Sequence, residues 1–242
     1  MRFLTRVAAA AFALAGAAHA EPSTFAQFNQ SGSADTIRVT NDTGSTGTIV
    51  DINNPTVTFD FLLPQLVAAG LGTQQAVFDL NGVITNPASL TIQVGPDPIN
   101  QLINSGTLSF TRTTPAPVGT ALGARTNLLT IQFTNALLTG FSGGTSGSLL
   151  ASTPDSALIF TSDFISFSNV QSMDFALGLS SITGGGLGRV SAAESVRAFT
   201  SDSTGTFSTD PAAQDVVPEP GMLGLLGIGV AGLALARRRK AA

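Results

Sequence analysis

The sequence predicts an all-β protein: an antiparallel β-sandwich ectodomain followed by a single C-terminal transmembrane helix. Three observations lead there. Apolar residues alternate with Thr and Ser in many short runs, Gly, Pro and Asn punctuate those runs, and 51 of the 197 residues between positions 21 and 217 are Ser or Thr. Period-two alternation gives a strand one buried and one solvated face. Threonine favours strands, and its hydroxyl wets the outer face without adding charge.

Taken along the chain, Thr24–Phe28, Thr36–Thr40 and Thr48–Ile52 are the first strand candidates. Asn53-Asn54-Pro55 then makes a turn, and Val57, Phe59 and Phe61 alternate with Thr58 and Asp60. A short helix is expected over Pro64–Ala69, stopped by Gly70, and a second over Ile99–Asn104, stopped by Gly106. Ser89–Val94 reads as a strand leading to the turn Gly95-Pro96-Asp97-Pro98. Leu108 and Phe110 alternate with threonine and serine, as do Leu129, Ile131 and Phe133 with Thr130 and Gln132, and Thr113–Ala124 between them is a loop. Phe164–Ser168, Phe175–Leu179 and Ser195–Thr200 are further strands, with Gly143-Gly144 and Gly184-Gly185-Gly186 as turns. A last strand over Thr206–Ser208 is expected to begin a polar stalk running to Val217. The phenylalanines fall mostly on the apolar phase of these runs and are assigned to the core, with Phe141 and Phe207 as candidates for exposure beside glycine-rich loops.

The two ends carry a different code. Arg2 and Arg6 precede the apolar stretch Val7–Ala15, and Ala18-His19-Ala20 supplies a small-x-small site, so residues 1–20 read as a signal peptide cleaved between Ala20 and Glu21. At the other end Pro218-Glu219-Pro220 leads into Gly221–Ala236, sixteen residues without a charge, and then into Arg237-Arg238-Arg239-Lys240. As a helix those sixteen residues measure roughly 24 Å, against a hydrocarbon core of about 30 Å, and the arginines can snorkel to recover part of the gap. Consecutive cations stop translocation and hold that end in the cytoplasm. The prolines remove backbone donors and favour an extended strip, which suits a processing enzyme. The resulting division is a signal peptide at 1–20, a sandwich at 21–205, a stalk at 206–217 and a sorting and anchoring segment at 218–240.

This tail, and only this tail, resembles the PEP-CTERM signal of Gram-negative bacteria that export proteins with their extracellular polysaccharide. The resemblance implies delivery across the inner membrane by Sec-type export machinery and transient anchoring there by the C-terminal helix. It further implies processing near Pro218–Pro220 by an exosortase, an integral-membrane enzyme with a cysteine nucleophile. Such proteins populate the cell surface, biofilm or floc matrix, so the resemblance implies a structural or adhesive role beside exopolysaccharide.

Composition narrows the chemistry of the body. Between residues 21 and 217 stand five arginines against 14 carboxylates, a balance that disfavours nucleic acid. The same segment has no Cys, His, Lys, Trp or Tyr. Ser-His-Asp, Cys-His and Ser-Lys nucleophiles therefore lack their base or their nucleophile, and zinc lacks its usual ligands. No catalytic residue, metal or cofactor is expected. Carboxylate chemistry on a glycan, or calcium-assisted glycan binding through Asp79-Leu80-Asn81-Gly82 or Asp202-Ser203-Thr204-Gly205, is the alternative reading. A third is an envelope protein that keeps its anchor. The Asp-Asn-Gly runs are read first as ordinary turns.

Overall fold

In the computed structural model the described residues are 22–91, 96–114, 125–189, 191–210 and 214–215. The expected signal peptide, the PEP motif, the apolar segment 221–236, the basic cluster and most of the 113–124 loop lie outside them. The described chain is mostly strand, with one short helix. In order come β1 (Ser23–Gln30), β2 (Ile37–Thr43), β3 (Thr46–Asp51), β4 (Thr56–Phe61), the short helix α1 (Pro64–Ala68), β5 (Thr73–Ile84), β6 (Ser89–Leu90) and β7 (Pro98–Arg112). They are followed by β8 (Asn127–Phe141), β9 (Gly147–Ser152), β10 (Leu158–Thr161), β11 (Ile165–Ser166), β12 (Ser172–Ser180), β13 (Phe199–Asp210) and β14 (Gln214–Asp215).

The all-β expectation holds, but the two-sheet sandwich does not describe the topology. Twelve strands form one antiparallel sheet whose pairings return to their start: β13 joins β12, β9, β8, β7 and β5 in turn, and β5 joins β4, β1 and β13 again. Long strands make this closure. β5 pairs with β4 through Thr73–Val77 and with β3 through Asn81–Ile84. β13 likewise pairs with β2 through Phe199–Ser201 and with β1 through Thr204–Thr209. Two strand pairs, β1/β4 and β2/β3, thus fill the gap between β5 and β13 at its two ends. A closed sheet has few free edges. Its polarity is that of a water-soluble barrel. Phe28, Phe59, Phe78 and Phe110 are buried inside, while Thr58, Gln75, Thr107 and Thr204 stand outside, the reverse of a lipid-facing barrel.

Several local expectations change. Ile99–Asn104 is not a helix but the start of β7, because Ile99, Gln101 and Ile103 all point into the core. The buried amide at 101 hides the alternation. Asp79-Leu80-Asn81-Gly82 and Asp202-Ser203-Thr204-Gly205 are not turns but the middles of β5 and β13. Their glycines face inward where no Cβ fits: at Gly82 it would meet Ile49 Cγ2 at 2.6 Å, and at Gly205 Phe28 Cε1 at 2.5 Å. The division between residues 205 and 206 falls inside β13, whose Phe207 and Thr209 are fully buried. Phe207 is therefore core, whereas Phe141 is exposed. The strand expected over Ser195–Thr200 begins only at Phe199, and that over Ser89–Val94 is described only as Ser89–Leu90, residues 92–95 lying outside the described set. α1 forms over Pro64–Ala68 with proline in its first turn.

Candidate functional site

A concavity lies on the outer wall, over β5, β7, β8 and β10. It is an open groove of about 600 Å³. Its floor follows from register. Asn81 on β5 faces Thr107 on β7, Thr107 faces Gln132 on β8, and Gln132 faces Ile159 on β10. Leu80 and Leu108, one position away on their strands, point inward, so this row must point outward.

A bend gives the groove its depth. On β8 the inward phase runs Leu129, Ile131, Phe133 and then resumes as Ala136 and Leu138, having slipped by one residue at Asn135, whose φ is 58°. On β7 the inward phase changes over the same level, from Ile103 to Leu108. Ser156 Oγ donates to the Asn135 carbonyl at 3.1 Å and the Ala157 amide donates to Thr134 Oγ1 at 3.3 Å, tying the chain before β10 to this corner. At Gly106 an added Cβ would lie 2.4 Å from the Phe133 ring and 2.6 Å from the Asn81 carbonyl, so only glycine lets β5, β7 and β8 close here.

The groove offers two amides (Asn81, Gln132), hydroxyls from Ser105, Thr107 and Thr134, the carboxyl of Asp79, and the apolar sides of Val83 and Ile159. Asp79 is coupled to Asp51 at the end of β3. Burial raises its carboxyl above the ordinary aspartate value, and the charge on Asp51 and their mutual hydrogen bond raise it further. Asp51 also holds the turn behind it, accepting from the Asn54 amide at 2.8 Å and the Leu80 amide at 3.3 Å. Other acids brace the fold in the same way. Asp163 accepts from the amides of Thr126 and Asn127 at 2.9 Å each, Asp202 accepts from Gln30 Nε2 at 2.9 Å, and Asp174 and Asp35 accept from Ser152 and Thr200. Among the described residues no three His, Cys, Asp or Glu side chains gather into a metal-binding group. The surface thus presents neutral donors and acceptors with one weakly acidic group at its margin.

Sequence reasoning reached only the β5 side of this groove, Asp79 and Asn81 of the Asp79–Gly82 run, because its row joins residues from four separated strands. Its signal was present only as the outward members of alternating runs, Asn81, Thr107 and Gln132. The cleavage, sorting and stop-transfer residues expected from sequence, Ala18, Ala20 and Glu21, Pro218, Glu219 and Pro220, and Arg237, Arg238, Arg239 and Lys240, all lie outside the described set.

Comparison with known proteins bears on that tail. A family model, the PEP-CTERM protein-sorting motif, matches residues 216–240 and is confined to them. No curated protein and no solved structure matches the chain. The motif marks an exported protein, handled by an exosortase and anchored in the membrane through its C-terminal signal.

Proposed function

We propose that this chain is a surface or extracellular-matrix protein whose body is a non-enzymatic structural or adhesive component among extracellular polysaccharide. Residues 1–20 are its signal peptide, removed before Glu21. The apolar segment 221–236 holds it in the inner membrane until an exosortase acts near Pro218–Pro220, after which the body is released or re-attached. The observation that carries this reading is the sorting motif at residues 216–240, joined to a barrel whose outer wall is rows of hydroxyls and amides.

Two features support a non-enzymatic body. The segment 21–217 has no His, Cys or Lys to serve as base or nucleophile. The carboxyl pair at the groove's margin, Asp51 and Asp79, touches directly, whereas glycoside hydrolysis places its acids about 5–10 Å apart with the sugar between them. The experiment is fractionation with intact mass, in wild-type cells and in a strain lacking the exosortase. The reading requires a matrix or surface species ending near Pro220 in the first strain and a membrane-bound species retaining residues 221–242 in the second. An identical, uncut protein in both would overturn it.

A further inference from the structure

We propose that one particular end of the barrel, carrying α1 and β11, is seated on the outer leaflet of the membrane while the chain is still anchored. This inference rests on the anchoring just described and adds an orientation to it. β14 pairs with β11, Asp215 lying opposite Ile165. Six residue steps, through the five residues 216–220, then lead from Asp215 to Gly221, the first of the apolar segment. At no more than about 3.6 Å per residue they reach roughly 20 Å. The β11 end of the body therefore stays within that distance of the bilayer surface.

The same end presents apolar side chains to that surface. The Phe164 ring, beside β11, lies 5.9 Å from the Phe61 ring at the end of β4, and the Leu62 amide donates to the Phe25 carbonyl at 2.8 Å. Leu62 and α1 are thereby fixed next to the exit of the tail. α1 buries Leu66 and leaves Val67 52 % exposed, with Leu62 43 % exposed beside it. Small apolar side chains held at the interface add affinity without spanning it. Asp60 and Asp163 flank this end, so the contact suits a zwitterionic leaflet better than an anionic one. Phe141 is also exposed, but at the far end: it pairs with Pro98 at the start of β7, whereas Ala76, shortly after α1 on β5, pairs with Arg112 at its finish. Those two ends of β7 are about 45 Å apart along the strand, well beyond the tether.

The chain contains no cysteine, so single probes are clean. The test uses residues 21–242 reconstituted in phosphatidylcholine vesicles, with an environment-sensitive fluorophore on Val67→Cys, Phe141→Cys or Ile228→Cys. Nitroxides on the choline head group quench the first two positions, and nitroxides in the acyl chain quench the third. Expected is quenching at position 67 roughly threefold stronger than at 141, since a seated group lies in the head-group layer and a remote one does not, with strong acyl-chain quenching at 228. Equal quenching at 67 and 141, with 228 embedded, overturns the orientation and leaves anchoring intact. No quenching at 228 overturns the anchoring itself, and the orientation with it.

Discussion

At the end of the barrel where the chain exits, the interior is sealed by rings. Phe28 and Phe59 each lie 4.9 Å from Phe110, Phe207 lies 5.4 Å from it, and Phe25 and Phe167 continue the stack towards β11. At the opposite end the seal is a loop held by hydrogen bonds. Residues 181–189 and 191–198 lie across the opening with Ile182, Leu187 and Val196 buried. Gln101, fully buried, accepts from the Val196 amide at 3.0 Å and donates to the Asn86 and Leu102 carbonyls at 2.9 and 3.0 Å. The Ser195 amide donates to the Gly44 carbonyl at 2.8 Å, and Arg189 Nη1 to the Ala88 carbonyl at 2.6 Å. Without disulfides, a secreted-type chain must close both ends with its own contacts. Ring packing is dispersed over many neighbours and is lost gradually. A polar plug is lost all at once when one partner goes, because the remaining buried group has no water to turn to.

The largest expected effect is at the aromatic end. Phe110→Ala should destabilise the fold by about 3–5 kcal/mol in urea or guanidinium unfolding. A loss under about 1 kcal/mol would mean that the rings are not the principal seal. Gln101→Leu should cost about 1–3 kcal/mol, and its signature should be local. Amide exchange should rise across residues 181–198 while the amides of β1, β4 and β13 stay protected, and uniform loss of protection would erase the distinction between the ends.

Asp79→Asn sharpens the picture of the outer wall. Because Asp79 titrates above its ordinary value of 3.8 when folded, the folded state binds the extra proton and stability falls as pH rises through that shifted value. The substitution should therefore raise Tm slightly at pH 7, on the order of 1 °C for a partly exposed group. The gain should vanish below the ordinary aspartate value, where both states are protonated. A gain that persists in acid would refute the coupling to Asp51. The smallest effect is expected at Ser201, whose hydroxyl is buried with no hydrogen-bond partner, although Thr36 and Ser203 beside it bond each other at 2.8 Å. Ser201→Ala should leave stability within about 0.5 kcal/mol or raise it, checked in the same unfolding assay. A loss above about 1 kcal/mol would show that the hydroxyl has a role.

Alternation alone located β4, β12 and the hydrophobic halves of β7 and β8, because in each the buried face is purely apolar. It failed where the buried face was not. Gln101 inside β7 broke the pattern and suggested a helix. Gly82 and Gly205, small so that Ile49 and Phe28 can close over them, made two strand centres look like turns. Closure of the sheet was out of reach for a different reason: it depends on β5 and β13 each serving two partners, and no local pattern encodes which strands meet. The sorting tail was readable because its physics is linear, a breaker, an apolar length and a charge. The groove is set by cross-strand register and so has no linear signature.

One last consequence concerns β13. Tension applied through the C-terminal tether would first peel the two-residue pairing between β11 and β14, then pass to the end of β13 at Asp210. There the strand is gripped lengthwise by β12 on one side and β1 on the other. A pull along its axis loads those bonds together in shear rather than opening them one by one. The pairing of β13 with β12 and β1 is thus well placed to bear mechanical load.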